Sequence, residues 1–202
     1  AGSCSSRVVF NVPEAHTAGF EAELGAELAP GFDVSIAGSY VDAQFDSDVV
    51  DGTGTILAGI RDGNRLASVP EFQIAATAAY SFPIDFQNAT EAFFAVSAQH
   101  VGSRFTQPSD QEVGAGDFMS GLPFGGATGM EVTSLNLELD SYQIVNLQAG
   151  VDWEDMSIVV YVNNVFDENA LLSFDRERGG RARLGFRTNQ PRTLGVTVRK
   201  SF

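Results

Sequence analysis

The sequence predicts an all-β fold: an antiparallel sheet of about seven long strands that crosses a lipid bilayer as a segment of a β-barrel. Three observations lead to this prediction. Apolar and polar residues alternate with a period of two over most of the chain, as they do on the two faces of a strand. The alternating runs are about ten or more residues long, whereas a globular strand usually has about five or six. The third observation concerns the connections between the runs. Short connections (30–31, 83–90, 154–155) alternate with long ones (46–68, 106–140, 165–190).

The first two strands show the pattern most clearly. Across residues 20–28 every second residue is apolar, and the positions between them carry Glu21, Glu23 and Glu27. The Pro-Gly pair at 30–31 is a typical tight turn, because proline presets one backbone angle and glycine tolerates the next. The alternation then resumes, so the two runs predict a hairpin with one apolar face and one acidic face.

Five further runs repeat this alternation along the chain. They are predicted as strands over 72–82, 92–105, 145–153, 156–163 and 194–202. Lipid admits only helices and closed barrels, because every backbone polar group must be paired there. Long antiparallel strands with short turns at one end and long loops at the other are typical of membrane barrels, and aromatic residues near the strand ends fit their interfacial girdles.

A soluble antiparallel sandwich is the alternative to a membrane barrel, since its strands also alternate. Two features disfavour it. The second face carries small polar residues strand after strand, and the chain has one lysine, Lys200, to keep sheet edges apart in water. The long loops also all fall at one end of the predicted sheet.

The composition excludes several other classes of protein. The 202 residues carry 12 basic and 26 acidic side chains, a net charge of −14, and phosphate binding to nucleic acid needs clustered basic residues. A single cysteine, Cys4, excludes a disulfide scaffold and cysteine-based metal fingers. No apolar run approaches the ~18 residues of a transmembrane helix. The charge is uneven, because eight of the basic residues lie within 176–202.

Several short motifs, in one consistent order, resemble the TonB-dependent outer-membrane receptors of Gram-negative bacteria. The most specific is the segment 142–166, in which a Tyr-x-x-Val-Asn-Leu strand leads to the box Val-Asn-Asn-Val-Phe-Asp at 162–167. The others are Asn-x-x-x-Ala-x-x-x-Gly-x-Glu-x-Glu at 11–23, Arg-Leu-x-x-x-Pro at 65–70, Val-Gly-x-Arg-Phe at 101–105, and the terminal strand 191–202. Each match is weak alone, and their shared order makes the resemblance specific.

The resemblance implies that residues 1–202 are one segment, the C-terminal part of a barrel of about 22 strands whose lumen is plugged. The plug domain and the earlier strands are then expected outside this sequence. The whole protein is expected in the cell outer membrane, importing a scarce small-molecule ligand with energy relayed by TonB. A ferric siderophore is the favoured ligand, with cobalamin or an oligosaccharide as alternatives. The competing interpretation is a small stand-alone outer-membrane barrel with a structural or adhesion role.

The resemblance also implies partners for the surface of the barrel. Outer-membrane lipid and lipopolysaccharide are expected around it. The apolar face of the last strand ends in an aromatic residue, which resembles the signal that the barrel-assembly machinery reads. That signal comprises Leu194, Val196, Val198 and Phe202. Lys200 departs from the usual pattern, because an aromatic or aliphatic residue is more common at that position.

Two groups of charged residues are candidates for ligand binding. Glu21 and Glu23, with Glu27, are predicted to face the lumen, where they would guide a cationic or metal-bearing ligand or pair with plug arginines; a water-filled lumen that simply tolerates charge is the favoured explanation. The other group lies in the last outer loop and comprises Arg176, Arg178, Arg181 and Arg183, followed by Arg187. Guanidinium groups suit carboxylate and phosphate, so these arginines would capture an anionic ligand, contact lipopolysaccharide phosphate or pair with acidic loops.

No residue pattern predicts an enzyme, a resident metal or a cofactor. Nucleophile–base, phosphate-binding and dinucleotide-binding motifs are all missing from the sequence. His16 and His100 lack companion ligands in sequence. The acidic residues of the first long loop do not follow the calcium-loop spacing, so a solvated loop is expected there. These residues are Asp46, Asp48, Asp51 and Asp62. Phe118, Phe124 and Met130 either line a ligand vestibule or pack their own loop.

Overall fold

The described residues form one seven-stranded antiparallel sheet with a layer of packed loops at one end. This computed structural model describes residues 11–119, 128–176 and 184–201. The strands of the large sheet are β1 (Ala15–Ala29), β2 (Phe32–Phe45), β3 (Phe72–Phe86), β4 (Ala89–Val101), β9 (Tyr142–Trp153), β10 (Met156–Asn163) and β13 (Thr193–Lys200), and those of the loops are β5 (Arg104–Phe105), β6 (Asp117–Phe118), β7 (Thr133–Ser134), β8 (Glu138–Leu139), β11 (Leu171–Arg176) and β12 (Leu184–Thr188). A short 3₁₀ helix spans Pro108–Gln111.

Each strand of the large sheet pairs with its neighbours in sequence order. The order is β1-β2-β3-β4-β9-β10-β13, and every pair is antiparallel. The predicted all-β class and the seven predicted strands are therefore confirmed. β1 and β3 have 15 residues each, which at ~3.4 Å per residue is longer than the ~25 Å apolar band of a membrane barrel. No helix in the described ranges is long and apolar enough to cross a membrane.

The short turns differ in one place from the sequence prediction. Residues 83–90 are predicted as a turn, but β3 continues to Phe86 and β4 begins at Ala89. Gln87 and Asn88 alone reverse the chain, both with positive φ (48° and 64°), as in a two-residue type I′ hairpin. A shift of register between Pro83 and Phe86 admits the proline, which cannot donate a ladder hydrogen bond.

The fourth strand also ends earlier than predicted. The alternation extends it to residue 105, but β4 ends at Val101 and the next residues turn away from the sheet. The amide of Gly102 donates to the carbonyl of Phe72 at 2.8 Å, and a side chain at Gly102 would press on that carbonyl. Arg104 and Phe105 then form β5, which pairs with β8 inside the loops.

The two faces of the sheet follow from the register. One face, called here the apolar face, carries Phe20, Leu24 and Val196, whose exposed fractions are 69%, 69% and 63%. Aromatic pairs mark both of its ends, with Phe20 and Tyr40 stacked at 5.9 Å and Tyr80 and Phe82 at 5.4 Å. The opposite face, called the polar face, carries mainly small polar, amide and acidic side chains. An apolar surface edged by aromatic rings suits a lipid surround.

The three long connections form what we call the loop layer. It consists of loop 1 (46–71), loop 2 (102–141) and loop 3 (164–192). Almost all the buried apolar side chains of the described residues lie in this layer or at the strand ends beside it. They are Ala43, Phe45, Ile60, Leu137, Leu139, Ala170 and Phe174, and Ala89 is the exception at the opposite end. The fold therefore places its apolar core outside the large sheet.

Candidate functional site

The polar face presents the two glutamates that the sequence assigns to the lumen. Glu21 lies opposite Ser39 and Glu23 opposite Ala37 in the β1–β2 ladder. Both glutamates are exposed and, with Gln73 and Gln99, line a shallow concavity. Because side chains alternate strictly along a strand, these polar groups share one face with no apolar aromatic residue between them. The structure thus places Glu21 and Glu23 on the polar face, and their role in the lumen stays a prediction.

Acidic side chains continue along the polar face towards the short turns. Glu27 lies directly opposite Asp33, and Glu91 directly opposite Asp152. Like charges at opposed positions of a ladder destabilise it unless a counter-charge is near. Arg199 of β13 is the one basic residue that the described strands place on this face. The polar face is therefore electrostatically suited to a cationic partner.

Loop 1 and loop 2 are joined by a bidentate ion pair. The guanidinium of Arg61 donates to both carboxylate oxygens of Glu112, at 3.0 and 2.6 Å. The side-chain amide of Asn64 donates to the same carboxylate at 2.9 Å. The hydrogen bond from Arg61 is the main reason that the pKa of Glu112 lies below its usual value. Partial burial opposes this shift, and Asn64 reinforces it.

In a second contact between these loops, a side-chain amide of loop 2 bonds to both backbone groups of one residue of loop 1, as a neighbouring strand would. Gln111 accepts from the backbone N–H of Arg65 and donates to the carbonyl of Arg65, both at 2.9 Å. Gly59 has a φ of +72° and lies against the backbone of Ser109, so any side chain there would clash with it. The Arg65 guanidinium also donates to the carbonyls of Val69 and Ser103, at 3.1 and 2.8 Å. Loops 1 and 2 therefore form one packed body.

Loop 2 holds loop 3 through a buried arginine and an aromatic cluster. Arg104 is 7% exposed, and its Nη2 donates to the carbonyls of Leu171 and Leu172, at 3.4 and 3.1 Å. Its guanidinium carbon lies 5.5 Å from the ring centroid of Tyr142, within the range of a cation–π contact. Phe174, 1% exposed, packs its ring between those of Phe118 and Phe186; the centroid distances are 5.9 and 4.9 Å.

The base of loop 3 is closed by asparagine side chains. Asn164, 3% exposed, donates to the carbonyls of Glu168 and Gln190 and accepts from the amide of Glu168, all within 3.0 Å. Asn189 donates to the Glu168 carbonyl and accepts from the amide of Ala170, both at 2.9 Å. The Val-Asn-Asn-Val-Phe-Asp box therefore joins the two ends of loop 3. The sequence singled out this box as a family motif without assigning Asn164 a role.

Three acidic residues of loop 1 have hydrogen-bond partners in the loop or in the adjoining strand β1. Asp51 accepts from the Thr53 hydroxyl at 2.6 Å and from the backbone amides of Thr53 and Thr55, and the Thr53 hydroxyl is the main cause of its lowered pKa. Asp48 accepts from the amide of Asp62 at 2.8 Å. Asp46 lies 2.6 Å from Nδ1 of His16. In the described part of the chain no group of three His, Cys, Asp or Glu side chains is arranged to hold a metal ion.

The arginine group of loop 3 is described in part. Arg178, Arg181 and Arg183 lie outside the described residues, and Arg176 ends strand β11. Arg187, the next arginine, is 74% exposed and pairs with Asp175 at 2.7 Å. Asp175 belongs to the same hairpin, so pairing of these arginines with acidic residues of the neighbouring loops stays a prediction. Capture of an anionic ligand by the others stays a prediction.

The remaining predicted residues fall into two sets. Leu194, Val196 and Val198 lie on the apolar face of β13, each more than 60% exposed, whereas Phe202 lies outside the described residues. Phe118 packs on Phe174 and so supports loop packing, while Met130 is 72% exposed and Phe124 lies outside the described residues. The loop anchors Glu112 and Gln111 were missed, because isolated Gln and Glu in a loop carry no periodic signal.

Comparisons with known proteins agree with this architecture. The profile of the family described as "TonB dependent receptor-like, beta-barrel" matches residues 1–165. No curated protein matches the chain by sequence.

Among solved structures, the ferric yersiniabactin uptake receptor FyuA from Yersinia pestis covers 93% of this chain at 22% identity with a TM-score of 0.64. The siderophore receptor PiuA from Acinetobacter baumannii covers 91% at 14% identity (TM-score 0.57), and the ferric-catecholate import receptor Fiu from E. coli K12 covers 93% at 16% identity (TM-score 0.59). The chain spans 24% of FyuA and 21% of each of the other two.

Proposed function

The chain belongs to the family of TonB-dependent receptor-like β-barrels, and on that premise we propose that it forms part of the wall and three outer loops of an outer-membrane transporter. The transporter imports a scarce ligand, a ferric siderophore above all, with energy relayed by TonB. Residues 1–202 supply the C-terminal barrel segment. The plug and the other strands belong to the remainder of the protein.

The observation that carries this proposal is the match of the family profile to residues 1–165, supported by the similarity of 93% of the chain to FyuA. FyuA, PiuA and Fiu are described as receptors for siderophores or ferric catecholates, which favours the same ligand class here. Cobalamin and oligosaccharides stay as alternatives, since specificity resides in loops and a plug. The fold alone does not assign the ligand.

The polar face has a definite part in this proposal. Glu21 and Glu23 stand on the lumen side of β1, exposed and without a basic partner among the described strands around them. They pair with basic side chains of a plug or steer a cationic or metal-bearing ligand through the lumen. Arg176, Arg178, Arg181 and Arg183 of loop 3 take an anionic ligand or lipopolysaccharide phosphate at the outer surface.

The apolar face has the complementary part. Its exposed aliphatic residues and the aromatic rings near its two ends contact outer-membrane lipid. The end of this face beside the loop layer contacts lipopolysaccharide. Leu194, Val196 and Val198, together with Phe202, present the C-terminal signal to the barrel-assembly machinery. None of these roles is catalytic, and the proposal needs no enzyme chemistry from this chain.

Iron uptake by the native host tests the proposal. The gene is deleted, and cells starved of iron are supplied with ⁵⁵Fe-labelled ferric yersiniabactin, ferripyoverdine or a ferric catecholate, with radiolabelled cyanocobalamin as a further probe. We expect the deletion to lower uptake of one ferric siderophore at least tenfold and to leave cobalamin uptake unchanged. A protonophore is expected to abolish the same uptake, because TonB relays energy from the proton gradient.

Complementation of the deletion strain with variant genes tests whether the polar face contributes to uptake. The double variant Glu21→Gln, Glu23→Gln is expected to restore less uptake than the wild type. Glu154→Gln, an acid lost from the opposite, short-turn end, is the matched control and is expected to restore it fully. Unchanged uptake of every probe in the deletion strain, combined with lost surface attachment of the cells, would favour the stand-alone structural barrel instead.

A further inference from the structure

Loop 3 is attached to the rest of the molecule at two places of different chemistry. Its base is closed by the neutral amides of Asn164 and Asn189, whose hydrogen bonds join both ends of the loop. Its hairpin, β11 with β12, is attached farther out, by Arg104, Thr106 and the ring of Phe118 of loop 2, which packs on Phe174. Thr106 accepts from the backbone amide of Phe174 at 2.8 Å, and Arg104 donates to two carbonyls of β11.

The outer attachment depends on a buried cation without a described carboxylate partner. Arg104 is more than nine-tenths buried, yet its partners are two backbone carbonyls and the ring of Tyr142. Its Nη1 atom is buried and has no hydrogen-bond partner among the described residues. A buried charge is costly unless it is paired. The outer attachment therefore includes a buried charge, whereas the side chains that close the base of the loop are neutral amides.

The position of Arg104 shows where on the sheet this attachment lies. Tyr142 begins β9 at the loop end of the sheet and lies opposite Val101, in the same alternating set as Asn146 and Gln148 of the polar face. Arg104 lies over this ring and under the hairpin. The hairpin is thereby held over the polar face at the loop end of the sheet.

We propose that Arg104 is a latch that holds hairpin β11–β12 over the loop end of the polar face, and that breaking this latch lets the hairpin pivot about its asparagine base while loops 1 and 2 stay in place. The proposal needs only the geometry of this chain and does not depend on which ligand the transporter carries. The latch works through the backbone carbonyls of Leu171 and Leu172, so these contacts of Arg104 do not depend on the side chains of the two leucines.

Distance measurements by pulsed electron paramagnetic resonance test the latch. Spin labels are placed at Gly185 of β12, where a side chain meets no atom within 4 Å, and at the exposed Gln143 of β9. The labels are introduced into the whole protein, isolated from its native outer membrane, in a variant with Cys4 replaced by serine. A second label pair, Gly52 with Gln143, reports on loop 1, and a side chain at Gly52 also meets nothing within 4 Å.

Arg104→Gln is expected to broaden the 185–143 distance distribution and add a longer population, and to leave the 52–143 distribution unchanged. Arg104→Lys keeps the charge without the two-carbonyl fork and is expected to give a smaller part of the same change. Arg187→Gln, which removes the exposed pair with Asp175 on the same hairpin, is the matched control and should match the wild type.

Two results would overturn the latch. An unchanged 185–143 distribution in both Arg104 variants shows that the hairpin does not depend on this residue. Equal broadening of both label pairs shows general loosening of the loop layer instead of a pivot. Heat-modifiable migration on gels verifies that each variant barrel is folded, and if Arg104→Gln fails this check, Arg104→Lys carries the same two comparisons.

Discussion

The large sheet and the loop layer of this chain differ in where they place their apolar side chains. The sheet exposes its apolar residues, with Leu24 at 69% and Leu194 at 75% exposed, and buries almost none of them. The loop layer buries Phe174 and Leu139 to 1% exposure, as a soluble domain buries its core. The difference fits the surroundings expected for each region of a membrane barrel, lipid for the sheet and water for the loops.

The two regions also differ in how they satisfy polar groups. In the sheet, backbone ladders pair the amides and carbonyls, and few side chains take part. In the loop layer, side chains of Asn164, Gln111 and Arg65 bond to backbone groups that lack a strand partner. Irregular backbone in a packed layer requires such side chains, because buried amides and carbonyls need partners. Substitutions should therefore act very differently in the two regions.

The largest effect is expected in the core of the loop layer. Phe174→Ala removes a fully buried ring that contacts Phe118 and Phe186, and such truncations cost roughly 3–5 kcal/mol. Hydrogen exchange of the protein in lipid nanodiscs should show lost protection across β11 and β12. Phe166→Ala in the same loop is the control, since that ring is 73% exposed and should be removable without effect. Loss of protection throughout the large sheet would contradict the independence of the two regions.

A slightly smaller effect is expected on the apolar face. Val196→Arg places a charge on the middle of β13, where lipid contact makes it cost about 2–4 kcal/mol, as in other membrane barrels. Its neighbour Thr197 is also exposed but belongs to the polar face, so Thr197→Arg should cost little. Urea unfolding of the two variants in lipid vesicles compares them directly. Equal costs would mean that the two faces are not in different solvents.

The sequence predicted the sheet far better than the loop layer. Alternation of period two over residues 20–28 and 156–163 identifies both the strands and their two faces, because each strand has one uniform surrounding on each side. It misplaced the 83–90 turn, since the pattern does not show that a shift of register admits Pro83. The same alternation assigns Glu21 and Glu23 to one face of β1, and the structure has both residues on that face.

The loop contacts could not be predicted, because they join residues far apart in sequence with no period. Arg61 and Glu112 are 51 residues apart, and Arg104 reaches carbonyls 67 and 68 residues away. A backbone carbonyl acceptor leaves no trace in the residue type. Asn164 was visible only as a member of a motif, and its buried, fully bonded amide appears only in the structure.

A glycine of the polar face offers a test of packing within the sheet. The ring of Phe93 covers Gly150, its partner in the neighbouring strand, so a methyl group at Gly150 would clash with the ring. Gly150→Ala should destabilise the sheet by about 1–3 kcal/mol, as overpacking does. Gly25→Ala is the matched control, because a methyl group on β1 meets nothing within 4 Å. The measurement is the urea midpoint of each variant in vesicles, and equal midpoints would contradict this packing.

The smallest effect concerns the charged contact between loops 1 and 2, and it depends on pH. Because Arg61 holds the pKa of Glu112 below its ordinary value, the folded loops bind this proton less readily than unfolded ones do. Their contact is therefore fully stabilised above the ordinary glutamate pKa and weakens as the pH falls through the lowered one. Hydrogen exchange of amides near Glu112, corrected for intrinsic rates between pH 6 and 3, should show this loss.

Glu112→Gln distinguishes that ion pair from other acidic groups of the loop layer. The variant should start with weaker protection at pH 6 and lose less of it on acidification, because the titrating carboxylate is gone. Asp51, whose pKa is also lowered, weakens loop 1 over the same range, so the amides of loop 2 are the proper reporters. Asp175→Asn removes an exposed ion pair from hairpin β11–β12 of loop 3 and should leave the exchange protection of these amides unchanged. An identical pH profile in Glu112→Gln and wild type would mean that the Arg61–Glu112 pair does not join the two loops.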